Sequence, residues 1–133
     1  MREALFALLV LAGPAIAQDD MMDGPVDGRW ALQRIGDAPF AARAELDLSQ
    51  AGRVSGSGPC NGFSGRVEGD WPKISVGPLR STRRACPELG QEHLFFMALQ
   101  SVQHGAMRED DLVLTDPAGR ELVFIRLPAP SDE

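Results

Sequence analysis

The sequence holds little of what protein chemistry is usually built from: its 133 residues include two cysteines, two histidines and no tyrosine. It has no apolar run approaching the roughly 20 residues that a membrane-spanning helix needs. It has no excess of basic residues either, since 19 Asp and Glu outnumber 13 Lys and Arg for a formal net charge of -6. An acidic chain without a basic stripe argues against nucleic acid and anionic membrane surfaces as partners. Metal-ligand pairs of the C-x-x-C or H-x-x-x-H kind are missing, as is the G-x-S-x-G elbow of many hydrolases. The glycine-rich loop is not followed by the Lys-Ser/Thr of a P-loop, so a phosphate cradle is a weak reading of it. Neither a metal nor a cofactor is therefore expected.

What is present first is an export signal. Met1-Arg2-Glu3 is a short charged start, Ala4 to Ala12 is apolar, and Ala15-Ile16-Ala17 forms an A-x-A cleavage site before polar Gln18-Asp19-Asp20. A signal peptide over residues 1–17 is expected, cut after Ala17. No cysteine stands there to carry a lipid. The mature protein should be periplasmic or secreted, with no stable membrane insertion, and monomeric; an uncleaved anchor is the competing reading. Losing Arg2 and Glu3 together leaves the charge unchanged. Residues 18–28 read as an acidic leader rich in Gly, Pro and Met, 29–127 as one domain, and 128–133 as a polar tail.

In an exported chain the two cysteines, Cys60 and Cys86, are most simply a disulfide. Closing such a loop is worth roughly 3 to 4 kcal/mol in the chain-entropy model. The alternative is a metal site of Cys60, Cys86, His93 and His104, which the spacing and an oxidising compartment both disfavour.

Alternation of apolar and polar residues marks the strands. Trp30 and Leu32 share one face of a first strand, and Leu46 and Leu48 point inward from a second. Gln50-Ala51-Gly52 turns that strand into Arg53-Val54-Ser55-Gly56. Phe63 to Glu68, Lys73 to Val76 and an extended run from Arg80 to Arg84 follow. One helix is predicted from about Pro87 to Gln103, with Phe95, Phe96, Leu99 and Val102 as its apolar stripe and Gly105 as a left-handed cap. Asp111 to Thr115 and Glu121 to Ile125 flank a type I turn at Asp116-Pro117-Ala118-Gly119. The last strand is apolar on both faces, so it should be central or covered on both sides. The sum is an α+β domain: about eight short antiparallel strands, curled into a partial barrel and packed on one helix.

The order Val54-x-Gly56-x-x-Pro59-Cys60-Asn61-x-Phe63-x-Gly65, then Gly77-Pro78-Leu79-x-Ser81-Thr82-Arg83-x-x-Cys86, a helix, and Leu112-x-Leu114-x-Asp116 resembles the META domain. That family includes the HslJ-like heat-shock proteins of bacteria. The resemblance runs from Trp30 to about Phe124, with Gly56, Asn61, Phe63, Gly65, Thr82 and Arg83 as its motif positions. Pro59 and Gly62 depart from the usual residues. The resemblance implies a curled antiparallel sheet on one helix, a link to heat shock, envelope stress and resistance to certain antibiotics, and no enzymatic activity.

Residues that could carry chemistry are few. A hydrolytic triad would have to be assembled from Ser57 or Ser64, His93 or His104, and an Asp, and no spacing pairs them. Arg66, Arg80, Arg83 and Arg84 stand out in an acidic chain as possible contacts to an anionic partner, against the plainer reading of solvated strand faces. The expected function is an exported, non-enzymatic stress or stability factor that acts by binding. The alternative is a small periplasmic binding module or enzyme inhibitor, taking an apolar ligand in the curled sheet or a partner protein on a loop.

Overall fold

A computed structural model describes residues 26–128. The predicted signal peptide, most of the leader and nearly all of the tail lie outside the described residues. The strands in chain order are β1 (Arg29–Ile35), β2 (Ala38–Pro39), β3 (Glu45–Asp47), β4 (Arg53–Ser57), β5 (Gly62–Asp70), β6 (Lys73–Val76) and β7 (Arg80–Ser81). Helix α1 (Leu89–Ser101) is followed by β8 (His104–Arg108), β9 (Asp111–Thr115) and β10 (Glu121–Arg126). Eight strands make one antiparallel path, β6-β5-β4-β3-β1-β10-β9-β8, with β2 on β1 and β7 on β5. The path curls almost into a barrel with a single seam between β6 and β8. Across the seam the Gly105 amide donates to the Pro72 carbonyl at 2.9 Å.

Side-chain alternation accounts for the inside of the barrel. Trp30, Leu32, Leu46, Leu48 and Val54 point inward from the first half, and Leu112, Leu114, Leu122 and Phe124 from the second. Helix α1 adds Phe95, Ala98 and Leu99 to the same core. Phe95 meets Phe63 edge-on, with ring centroids 5.6 Å apart. Trp30, Phe95 and Phe124 are wholly buried, so side chains fill the interior of the curled sheet.

The last strand is indeed central, lying between β1 and β9. Its outward row is apolar, pairing Val123 with Val113 and, one strand on, Ala106. Arg108 sits one row to one side of these residues and Glu121 one row to the other. Their bidentate pair, at 3.0 and 2.8 Å, therefore runs diagonally over Val113, which is only 6% exposed.

Three predicted details are corrected. The helix is shorter than Pro87 to Gln103 and closes at Val102, whose backbone is extended. Gly105 does not cap it but lies inside β8, paired with Leu114. A Cβ there would stand 2.5 Å from Trp71 and 2.8 Å from Leu114, so close packing, not a left-handed turn, requires glycine. The basic run is also only partly a strand: pairing stops at Ser81, and residues 82–86 form an irregular strap leading to α1.

Candidate functional site

The motif residues converge where this strap crosses the start of β5. Cys60, just before β5, is bridged to Cys86, just before α1, with Cα atoms 5.8 Å apart. The bridge occupies both thiols, so the alternative metal set is not available to the folded chain. Beside it lies Asn61, 3% exposed, with every polar atom of its side chain used. Its Nδ2 donates to the Arg84 carbonyl at 3.0 Å and to Glu92 Oε2 at 2.6 Å. Its Oδ1 accepts from Thr82 Oγ1 at 2.9 Å and from the Arg84 amide at 2.6 Å. An Asn side chain offers two donors and two acceptor positions, and here all four are satisfied.

Glu92, also 3% exposed, is the other half of the cluster. Its Oε1 accepts from the amides of Cys60 at 2.8 Å and Asn61 at 2.7 Å. Three N–H groups thus surround a carboxyl group that faces the protein interior, which is the condition for burying it. Glu92 is absent from the sequence-based candidates. A signal for it exists, since it stands three and seven residues before Phe95 and Leu99 and so shares the helix's apolar stripe. A carboxyl group on such a stripe needs a buried partner.

The remaining motif positions support the same junction. Phe63 is 6% exposed and packs on Phe95 and Phe96. Gly56 lies where a Cβ would run into the Glu45 carbonyl oxygen on the neighbouring strand. Gly65 would bring a Cβ to 2.8 Å from Leu79. Thr82 and Arg83 are exposed on the strap. The hydroxyl of Thr82 is committed to Asn61, while the Arg83 side chain faces a groove.

That groove, of about 390 Å³, runs between the strap and the first two turns of α1. Leu89, His93 and Phe96 come from one helix face, and Arg83 and Arg84 from the strap. Leu89 is 44% exposed and Phe96 is half-buried. The four arginines singled out from the sequence do not gather at one place. Arg66 and Arg80 line a separate hollow on the outside of the barrel, together with Arg53. Ser64 lies in that hollow and His93 in the groove, while His104 is on β8 and borders neither. Among the described residues no hydrogen bond joins a serine hydroxyl to either histidine.

No described helix is long and apolar enough to cross a membrane. Two solved structures share the fold. One is an NMR structure of a protein from Burkholderia xenovorans, 23% identical, with a TM-score of 0.66, covering 91% of this chain and 99% of that one. The other is an NMR structure of a protein 21% identical, with a TM-score of 0.57, covering 75% and 89%. No curated protein matches. The META domain model matches residues 23–129, which takes in the whole barrel, the strap and the helix. The chain belongs to the META domain family.

Proposed function

We propose that this protein is an exported, non-enzymatic META-domain factor that acts by binding a partner protein in the cell envelope under stress. The observation that carries the reading is the use made of two polar motif residues and of Glu92. Asn61, Thr82 and Glu92 have their side-chain bonds closed on one another and on backbone. None is left to act on a substrate. What they hold in place is the groove, whose apolar floor of Leu89 and Phe96 is rimmed by Arg83 and Arg84. A surface fixed by a disulfide and a buried polar cluster loses little entropy on binding. Its chemistry suits an apolar side chain flanked by acidic residues.

The other reading, an apolar ligand inside the curled sheet, is less well supported because Trp30, Leu46, Phe95 and Phe124 fill that space. Native mass spectrometry of the mature protein distinguishes the two: a clean mass beginning at Gln18 with co-purifying protein is expected, and a retained lipid would favour the ligand reading. Partner capture should be lost in Leu89→Asp and Arg83→Glu, both at exposed positions. Turnover of peptides, esters or glycans that disappears on changing His93 or Ser64 would overturn the non-enzymatic reading.

A further inference from the structure

The hollow on the outside of the barrel is independent of that groove, and its chemistry differs. It lies beside β5, which pairs with β7 through Phe63 and Ser64 and with β6 through residues 67–70. Between these stretches Gly65 and Arg66 face the Gly77-Pro78-Leu79 link, and the Gly77 amide donates to the Arg66 carbonyl at 2.9 Å. Because Gly65 has no side chain, Leu79 can close in beside the strand. The result is a recess of about 490 Å³.

Three arginines line this recess from three strands. Arg53 on β4 and Arg66 on β5 are direct cross-strand partners, and Arg80 on β7 pairs with Ser64, two residues before Arg66. All three arginines are exposed, and Ser64 is half-buried between them. Like charges directly opposite on neighbouring strands destabilise a sheet. A chain with an excess of carboxylates could relieve this with one of them, as it does elsewhere: Arg29, Arg34, Arg43, Arg108 and Arg120 each pair with Asp or Glu. Among the described residues Arg53, Arg66 and Arg80 have no such partner. Glu68 borders the recess without closing an ion pair, which leaves a local charge of +2.

We infer that this recess is an anion site that takes a phosphoryl or pyrophosphoryl group. One arginine fork saturates the two oxygens of a carboxylate. Three forks and the Ser64 hydroxyl call for an anion with more oxygens, spread over more directions and carrying more than one negative charge. Phosphoryl groups meet that demand, and bound there they would also offset the Arg53–Arg66 repulsion.

Inorganic pyrophosphate is the probe, titrated calorimetrically into the mature protein at about 20 mM salt, where screening is weak. Saturable one-to-one binding is expected, with the side-chain Nε–H signals of Arg53, Arg66 and Arg80 moving together in NMR spectra. Arg66→Gln should weaken binding about 10-fold or more, and Arg66→Lys nearly as much, because lysine keeps the charge but loses the fork. Arg43→Gln, an exposed arginine away from the recess, should bind like the parent. Without ligand, Arg66→Gln should melt no lower than the parent, since it removes a repulsion. No saturable binding at about 10 mM pyrophosphate, or equal weakening by Arg43→Gln and Arg66→Gln, would overturn the assignment. Flotation with phosphatidylglycerol vesicles then identifies the source of the group. Flotation lost in Arg66→Gln assigns a lipid headgroup, and no flotation assigns a free phosphorylated ligand.

Discussion

Asn61 Nδ2 and Glu92 Oε2 lie 2.6 Å apart, and this contact ties the residue just before β5 to the first turn of α1. The two residues are separated by 31 positions in the chain, and between them they engage the strap, the disulfide loop and the helix.

Glu92→Ala should be among the most damaging substitutions in the protein. It leaves the amides of Cys60 and Asn61 and the Nδ2 of Asn61 without an acceptor in a buried place, and losses of about 3 kcal/mol are expected for such orphaned donors. Glu92→Gln keeps one carbonyl oxygen for the two amides but turns an NH₂ group toward Asn61, so it should fall between the parent and the alanine variant. Urea unfolding midpoints check the order. Parent-like stability of Glu92→Ala would contradict the role given to the cluster.

Reduction of the disulfide should lower stability by about 2 to 4 kcal/mol. Intact mass measurements should find two alkyl groups taken up by the unfolded protein only after reductant is added. Far-UV and near-UV circular dichroism of the reduced form should remain native-like at room temperature, because the Asn61–Glu92 contacts hold the same junction without the bridge.

The Arg108–Glu121 pair predicts a small acid-side loss. Hydrogen bonding to Arg108 is the main reason that the Glu121 carboxyl titrates below its ordinary value of 4.5, with burial opposing the shift. A carboxyl group with a depressed folded value stabilises the fold above its unfolded value, and the contribution fades as pH falls through the folded one. The window therefore lies from about pH 4.5 downward. With the Arg108 side chain about half exposed, the pair is worth about 0.5 to 1 kcal/mol. Glu121→Gln should lose that amount at pH 7 and should flatten this part of the acid unfolding curve.

Gly105→Ala tests the correction at the end of the helix. A methyl group there meets the Trp71 ring and Leu114, and overpacking of this kind costs about 1 to 3 kcal/mol. Restoring space from the other side, with Leu114→Ala added, should recover part of the loss if crowding is the cause. The double variant would simply add the two penalties if Gly105 were needed for its backbone angle.

Much of the barrel is legible in the sequence because its strands are half-buried. Trp30 with Leu32 and Leu46 with Leu48 announce their inward faces by alternation, and the two-sided apolar character of Leu122 to Ile125 marks a central strand. The Asp116 to Gly119 turn follows from its own residues, and the Gly119 amide does donate to the Asp116 carbonyl at 2.9 Å. Strand β8 escaped because His104-Gly105-Ala106-Met107-Arg108 has no β-branched residue. Its conformation is imposed by pairing with β9 rather than by local preference. The candidate site was legible as a motif but not as a mechanism: Asn61 and Thr82 stand out locally, whereas Glu92 acquires its role only when the helix is brought against the loop.

The place of β10 between β1 and β9 has a consequence for the order in which the sheet can form. Trp30 and Arg126 are register partners, and the Arg126 guanidinium lies 4.3 Å from the centre of the Trp30 ring. Among the described strands β10 is the last to be made, and without it β1 and β9 have no shared neighbour, so the path of the sheet stays broken between them.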